Sequence, residues 1–182
     1  MSGSSSYIPT ADPLERIRES EAFGKRILPE VSRTFAISIR FLPGDLGKAV
    51  LTAYLLCRIA DTIEDDNSTA PERRAELLEE FLRTLQDREA ADAFPQLAAG
   101  LKGDPAHLEL VRHTDLVLVT FRTLPPRTQE RVAHWVREMG VGMAKFVRNY
   151  PRGIRIQTLA EYKEYCYYVA GVVGEMLTAL FV

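Results

Sequence analysis

The segment YLLCRIADTIEDD, residues 54–66, ends an apolar run in an arginine and then sets Asp61, Glu64, Asp65 and Asp66 within six positions. On a helix at about 100° per residue, with Tyr54 at zero, Arg58 falls near about +40°, Asp61 near about −20° and Asp65 near about +20°. These four side chains share one narrow face, while Leu55, Leu56, Ile59 and Ile63 cover the rest of the girth. A charged strip is ordinarily a solvated face, but two features point elsewhere. Carboxylates at a helix C-terminus oppose the macrodipole at roughly a few tenths of a kcal/mol each, so a positive partner is wanted there. Two carboxylates four apart can also share Mg²⁺, an ion that keeps several waters and completes its shell with substrate phosphates. Arg58 would bring a guanidinium to the same phosphate oxygens.

Other stretches carry smaller signals. VSRTF at 31–35 places a hydroxyl, Ser32, beside a guanidinium, Arg33, and both are good phosphate donors. RNYPRGIR at 148–155 carries three arginines in a Pro/Gly loop, a pattern that usually means a solvated loop. Cys57 and Cys166 lie in apolar runs with no partner at metal spacing, and read as free buried thiols. His107, His113 and His134 form neither a ligand cluster nor a triad.

The elements that must position these residues are helices. Periodicity of 3.6 dominates, no alternating strand stands out, and an all-α fold is expected. We expect helices over Pro13–Leu28, Val31–Phe41 and Asp45–Asp65. A fourth, capped by Ser68 or Thr69, has Leu78, Phe81, Leu82 and Leu85 as its apolar stripe. Asp104 and Pro105 start a fifth, and Pro125 and Pro126 precede a sixth that carries Trp135 as a core residue. A last helix opens with Thr158 and Glu161 in capping-box order and sets Tyr165, Val169, Val173, Leu177 and Phe181 at successive i+4 steps. Its apolar LTALFV end lacks a C-cap signal, so the chain is expected to be cut off within a longer protein.

The chain of 182 residues is 46% hydrophobic and 26% charged, with a formal charge of −2, as expected for one globular domain and against a dedicated nucleic-acid binder. The start, MSGSSSYIPT, has no apolar signal region. Residues 1–12 are expected to form a disordered arm and 13–182 the helical domain. A cytoplasmic location is expected, with peripheral membrane contact left open and nothing setting an oligomeric state.

With VSRTF, YLLCRIADTIEDD and YCYYVAGVVGEMLTALF, the sequence resembles the squalene and phytoene synthase family, the head-to-head prenyl-diphosphate synthases. The resemblance runs from about Glu19 onward. It implies an isoprenoid-synthase-type helical bundle around a central cavity, here incomplete at the C-terminus. It makes Asp61 and Asp65 the first aspartate-rich motif, holding Mg²⁺ against the substrate diphosphate, with Glu64 beside them. Arg58 and Arg33 would contact phosphate oxygens, Ser32, Phe35 and Tyr54 would line the pocket, and Tyr165 would stand near the reacting carbons. Val169, Val173, Gly174 and Leu177 would wall the prenyl chain, although core packing would explain these apolar positions equally well. The family's second aspartate-rich motif is absent.

The implied reaction joins two farnesyl diphosphates to presqualene diphosphate and then squalene or dehydrosqualene, with NADPH as hydride donor if squalene is the product. Competing readings are a phytoene synthase acting on geranylgeranyl diphosphate, and a class I terpene cyclase or head-to-tail prenyltransferase. A third is a helical lipid-binding or scaffold relative without activity.

Overall fold

Helix α3, Gly44–Asp65, runs through the middle of the molecule and is buried almost all round, which is why its sequence is apolar on most sides. The computed structural model describes residues 12–182, and every described element is helical. Around α3 lie α1 (Pro13–Val31), α2 (Arg33–Arg40), α4 (Pro71–Thr84), α6 (Pro105–Arg112), α7 (Thr114–Arg122) and α8 (Pro126–Asn149). Helix α5 (Arg88–Leu97) packs on α4 and α7. The chain ends in α9 (Leu159–Cys166), a π turn (Tyr167–Gly171) and α10 (Val172–Phe181), laid against α8 and α3. The all-α expectation holds.

The core is continuous, with Ile27, Leu55, Leu56, Ile59, Ile63, Leu78 and Phe81 at 2% exposure or less. Each such side chain contributes roughly 1.5–3 kcal/mol on burial. Phe81 and Phe94 meet with ring centroids 5.7 Å apart, tying α4 to α5. The Thr120 hydroxyl donates to Ser20 at 2.9 Å and bridges α7 to α1. Trp135 packs half-buried against the core, as expected. Cys57 is buried and its thiol pushed up by desolvation and by Asp61, which fits an inert side chain.

Several boundaries differ from the sequence reading. Helix α1 runs to Val31 because Pro29 falls in its last turn, where a missing amide costs one bond and does not break the helix. Ser32 then caps α2, its Oγ accepting from the Phe35 amide at 3.2 Å. Ser68 and Thr69 do not cap α4, whose N-terminus is Ala70–Pro71; their hydroxyls donate to Asp66 at 2.6 Å. Helix α5, capped by Asp87, was not expected, and the helix after Pro105 splits at His113 into α6 and α7. Of the expected N-terminal arm, residues 1–11 lie outside the described residues, while Asp12 caps α1 through the Leu14 amide. No helix among the described residues is long and apolar enough to cross a membrane.

Candidate active site

The C-terminal half of α3 lines two cavities. One is a groove of about 460 Å³, open to α2 and α10, with Tyr54, Arg58 and Asp61 at its polar end and Phe35, Val169, Val173, Leu177 and Phe181 along its apolar walls. The other is a polar chamber of about 200 Å³ holding Glu64, Asp65, Arg74 and Tyr165.

Within the groove, Arg58 sits over Tyr54, its carbon 5.7 Å from the ring centroid, and donates to the Tyr54 hydroxyl at 3.1 Å. That hydroxyl in turn donates to the Val31 carbonyl at 3.4 Å, and the Tyr54 ring meets Phe35 at 5.4 Å. Arg58 also faces Asp61 at 3.5 Å. Its Nε is buried without a hydrogen-bond partner. A guanidinium at the polar end of an otherwise apolar groove fits an anionic oxygen ligand.

The carboxyl groups along α3 lack counter-charge. Burial, reinforced by Asp65 and opposed by Arg58, pushes Asp61 up to about 6. Burial together with the charges of Asp61 and Asp65 pushes Glu64 up to about 7, against the Tyr165 hydrogen bond and Arg74. Asp66 behaves differently. Burial alone would raise it, but hydrogen bonds from Ser68, Thr69 and the Lys102 amide hold it at about 2. It fastens the end of α3 and takes no part in the row facing the cavities.

In the chamber, the Tyr165 hydroxyl lies 3.4 Å from Glu64 Oε1, and desolvation and the Glu64 charge push the phenol up. Arg74 of α4, 5% exposed, donates to the Glu64 carbonyl at 2.5 Å and leaves its Nε unpartnered. It supplies the positive group that the acidic end of α3 requires. Tyr150, Gly153 and Ile154 close the chamber from the 150–154 loop, which turns at Gly153 with φ of +93°, a conformation suited to glycine.

A family model described as squalene/phytoene synthase matches residues 28–182. The chain belongs to the squalene/phytoene synthase family. Squalene synthase BSS of Botryococcus braunii is 38% identical over 175 residues, which cover 94% of this chain and 36% of that protein. Squalene synthase of Solanum lycopersicum is 36% identical over 85% of this chain and 34% of its own length. The chain thus spans about a third of the length of these relatives. Inactive squalene synthase 2 of Arabidopsis thaliana is 33% identical over 88% of the chain, so likeness alone does not carry activity. A solved complex of TcSQS with the ligand BPH1237 aligns with a TM-score of 0.74 and 31% identity, covering 92% of this chain and 44% of that one.

Members of the squalene/phytoene synthase family are prenyltransferases, and the residues expected to act here divide among three places. Phe35, Tyr54, Arg58, Asp61, Val169, Val173 and Leu177 share the groove. Glu64, Asp65 and Tyr165 share the chamber instead, so the expected single stripe from Tyr165 to Phe181 is interrupted. The interruption is the π turn. Ser32, Arg33 and Gly174 line neither cavity. Ser32 is engaged in capping, Arg33 is exposed with no ion pair among the described residues, and a Cβ on Gly174 would meet nothing within 4 Å. Two parts were missed. Arg74 was hidden among the charges of a helix that reads as purely structural, and its contact with the Glu64 carbonyl depends on how α4 packs on α3. The 148–155 segment, read as a plain loop, forms a chamber wall.

Among the described residues no three His, Cys, Asp or Glu side chains gather as a closed metal cage. Asp61 and Asp65, one turn apart on the exposed edge of α3, offer hard oxygen donors short of counter-charge. That donor set fits an ion bound by one or two carboxylates and completed by water and phosphate.

Proposed function

We propose that this chain is part of a Mg²⁺-dependent prenyltransferase that joins two farnesyl diphosphates head to head, forming presqualene diphosphate and then squalene or dehydrosqualene. The observation that carries this reading is the groove, whose polar end holds Arg58 and Asp61 and whose remaining walls are apolar over α2, α3 and α10. Its volume of about 460 Å³ falls within the range of small-ligand sites, which is about 300–1,000 Å³. The names of the relatives, squalene synthases in each case above, favour farnesyl over geranylgeranyl diphosphate.

In this reading Asp61 and Asp65 hold Mg²⁺, which when bound neutralises the diphosphate oxygens and favours loss of the leaving group. Arg58, steadied by the Tyr54 hydroxyl, brings its guanidinium charge to a phosphate oxygen at the end of the groove. The C1–O bond of one substrate breaks, and the bonding pair leaves with the diphosphate. The double bond of the second substrate captures the allylic cation and a proton is lost as the cyclopropane closes. Val169, Val173, Leu177, Phe35 and Phe181 exclude water from the cation, and the aromatic faces among them stabilise it. Loss of the second diphosphate and rearrangement leave a new cation, which gives dehydrosqualene by losing a proton. A squalene product then needs a hydride, for which NADPH is the donor we propose.

The test is to incubate the complete polypeptide with farnesyl diphosphate and Mg²⁺, with and without NADPH, and in parallel with geranylgeranyl diphosphate. A head-to-head dimer of the farnesyl chain is the expected product. A cyclised monomer or a head-to-tail chain would place the protein among the other terpene enzymes. No turnover would favour the inactive helical relative.

A further inference from the structure

The last helix serves two cavities at once, and the π turn makes this possible. Its mark is the Val172 amide, which donates to the Tyr167 carbonyl five residues back. In an unbroken α-helix Tyr165 and Val169 would lie about 40° apart and face the same way. One extra residue rotates the downstream half of the helix by about 100° relative to the upstream half. Tyr165 therefore meets Glu64 in the chamber, while Val169, Val173 and Leu177 face the groove.

The turn is seated from the opposite wall by α8. A Cβ added at Gly142 would lie 2.1 Å from Cγ, 2.3 Å from Cδ1 and 2.6 Å from Cβ of Tyr168, the second residue of the π turn. Neither the Tyr168 ring nor the turn that carries it could keep its place against alanine. From this notch a series of aromatic contacts leads to the carboxyl row. The Tyr168 ring meets Phe146 edge-on with centroids 6.4 Å apart, Phe146 meets Tyr165 edge-on at 5.1 Å, and the Tyr165 hydroxyl reaches Glu64. Glycine weakens a helix interior, and here it leaves the only shape that admits the ring.

We propose that Gly142 is a positioning residue: by admitting the Tyr168 ring it holds the π register that keeps Tyr165 on Glu64 and the Val169–Leu177 face on the groove. The catalytic half of this claim rests on the prenyl-transfer reading above, whereas the geometric half does not.

The experiment uses the complete polypeptide with 3-fluorotyrosine at position 165, in wild type, Gly142→Ala, Tyr168→Ala and the double variant. In Gly142→Ala the ¹⁹F resonance should move toward its position in a Glu64→Gln control. Turnover should fall about 10²-fold, the scale of an ångström-sized misplacement. Affinity for inorganic diphosphate with Mg²⁺, governed by α3, should stay within about twofold. The two substitutions act on one contact, so the double variant should recover to the level of Tyr168→Ala alone. An unshifted resonance in folded Gly142→Ala overturns the proposal, as do additive losses in the double variant. If Gly142→Ala does not fold, Tyr168→Ala alone decides, since it empties the notch without adding atoms; an unchanged resonance there overturns the proposal too. Failure of the prenyl-transfer reading would show as an inactive wild type whose resonance still shifts in Gly142→Ala.

Discussion

Helices α3 and α4 are consecutive in the chain, both carry dense charge, and they treat it in opposite ways. In α4 the apolar stripe of Leu78, Phe81 and Leu82 is buried and, Arg74 apart, the charges face solvent, where Arg73 pairs with Glu76 at 3.3 Å and Arg83 with Glu80. In the C-terminal half of α3 the girth is buried and the charges line cavities, with one 3.5 Å ion pair between Arg58 and Asp61 and an unused Arg58 Nε. Solvent screens and satisfies the first set, so it is worth little either way. In the second set Arg58, Asp61 and Glu64 are partly or largely withdrawn from water without enough counter-charge, a state that a bound cation and an anionic ligand would relieve. What separates a binding strip from a solvated one is thus the shortage of partners around it, since the number of charges is similar.

Breaking the α3 row should have the largest effect. Asp61→Asn or Asp65→Asn in the complete polypeptide is expected to lower prenyl transfer by about 10²–10³-fold while leaving the helical circular dichroism unchanged. Full activity in both would remove the metal role. Next comes Arg58→Lys, where an ammonium cannot reproduce the fork that engages Tyr54 and a phosphate together; steady-state kinetics should show a KM raised about tenfold, or about 1.4 kcal/mol.

A third change sharpens the contrast through pH. Glu64 is raised from 4.5 to about 7, so between those values the folded state binds a proton that the unfolded chain has released. Stability therefore falls as pH rises through that window. In metal-free protein at pH 8, Glu64→Gln should be more stable than wild type by about 2 kcal/mol in urea unfolding, with the difference gone near about pH 4. Equal stability at both pH values would mean that the chamber does not desolvate the carboxyl. The smallest effect belongs to α4, where Glu76→Gln should change stability by less than about 0.5 kcal/mol and leave turnover untouched.

Much of this was open to reading from residue order. The strip on α3 stands out because Leu55, Leu56, Ile59 and Ile63 leave only one side for charge, and the structure keeps that helix from Gly44 to Asp65. Thr158 caps α9 through the Glu161 amide at 3.2 Å, as its spacing suggested. The Glu161 carboxyl departs from a simple capping box, since it accepts from the Tyr150 hydroxyl at 2.6 Å. The π turn was not readable, because the i+4 apolar pattern runs straight across Tyr167–Gly171 and the turn is set by a neighbour on α8. Pro29 and Pro95 each fall near a helix end, where the lost bond matters little and the helix continues. Ser68 and Thr69 misled as caps because Asp66 competes for their hydroxyls.

The central claim is that the charged edge of α3 receives diphosphate through magnesium. Calorimetric titration of inorganic diphosphate into the complete polypeptide, with and without Mg²⁺, tests it most directly. The account expects binding that requires Mg²⁺ in the wild type and weakens at least about tenfold in Asp61→Asn/Asp65→Asn. Equal affinity in wild type and double variant, or binding indifferent to Mg²⁺, would contradict it.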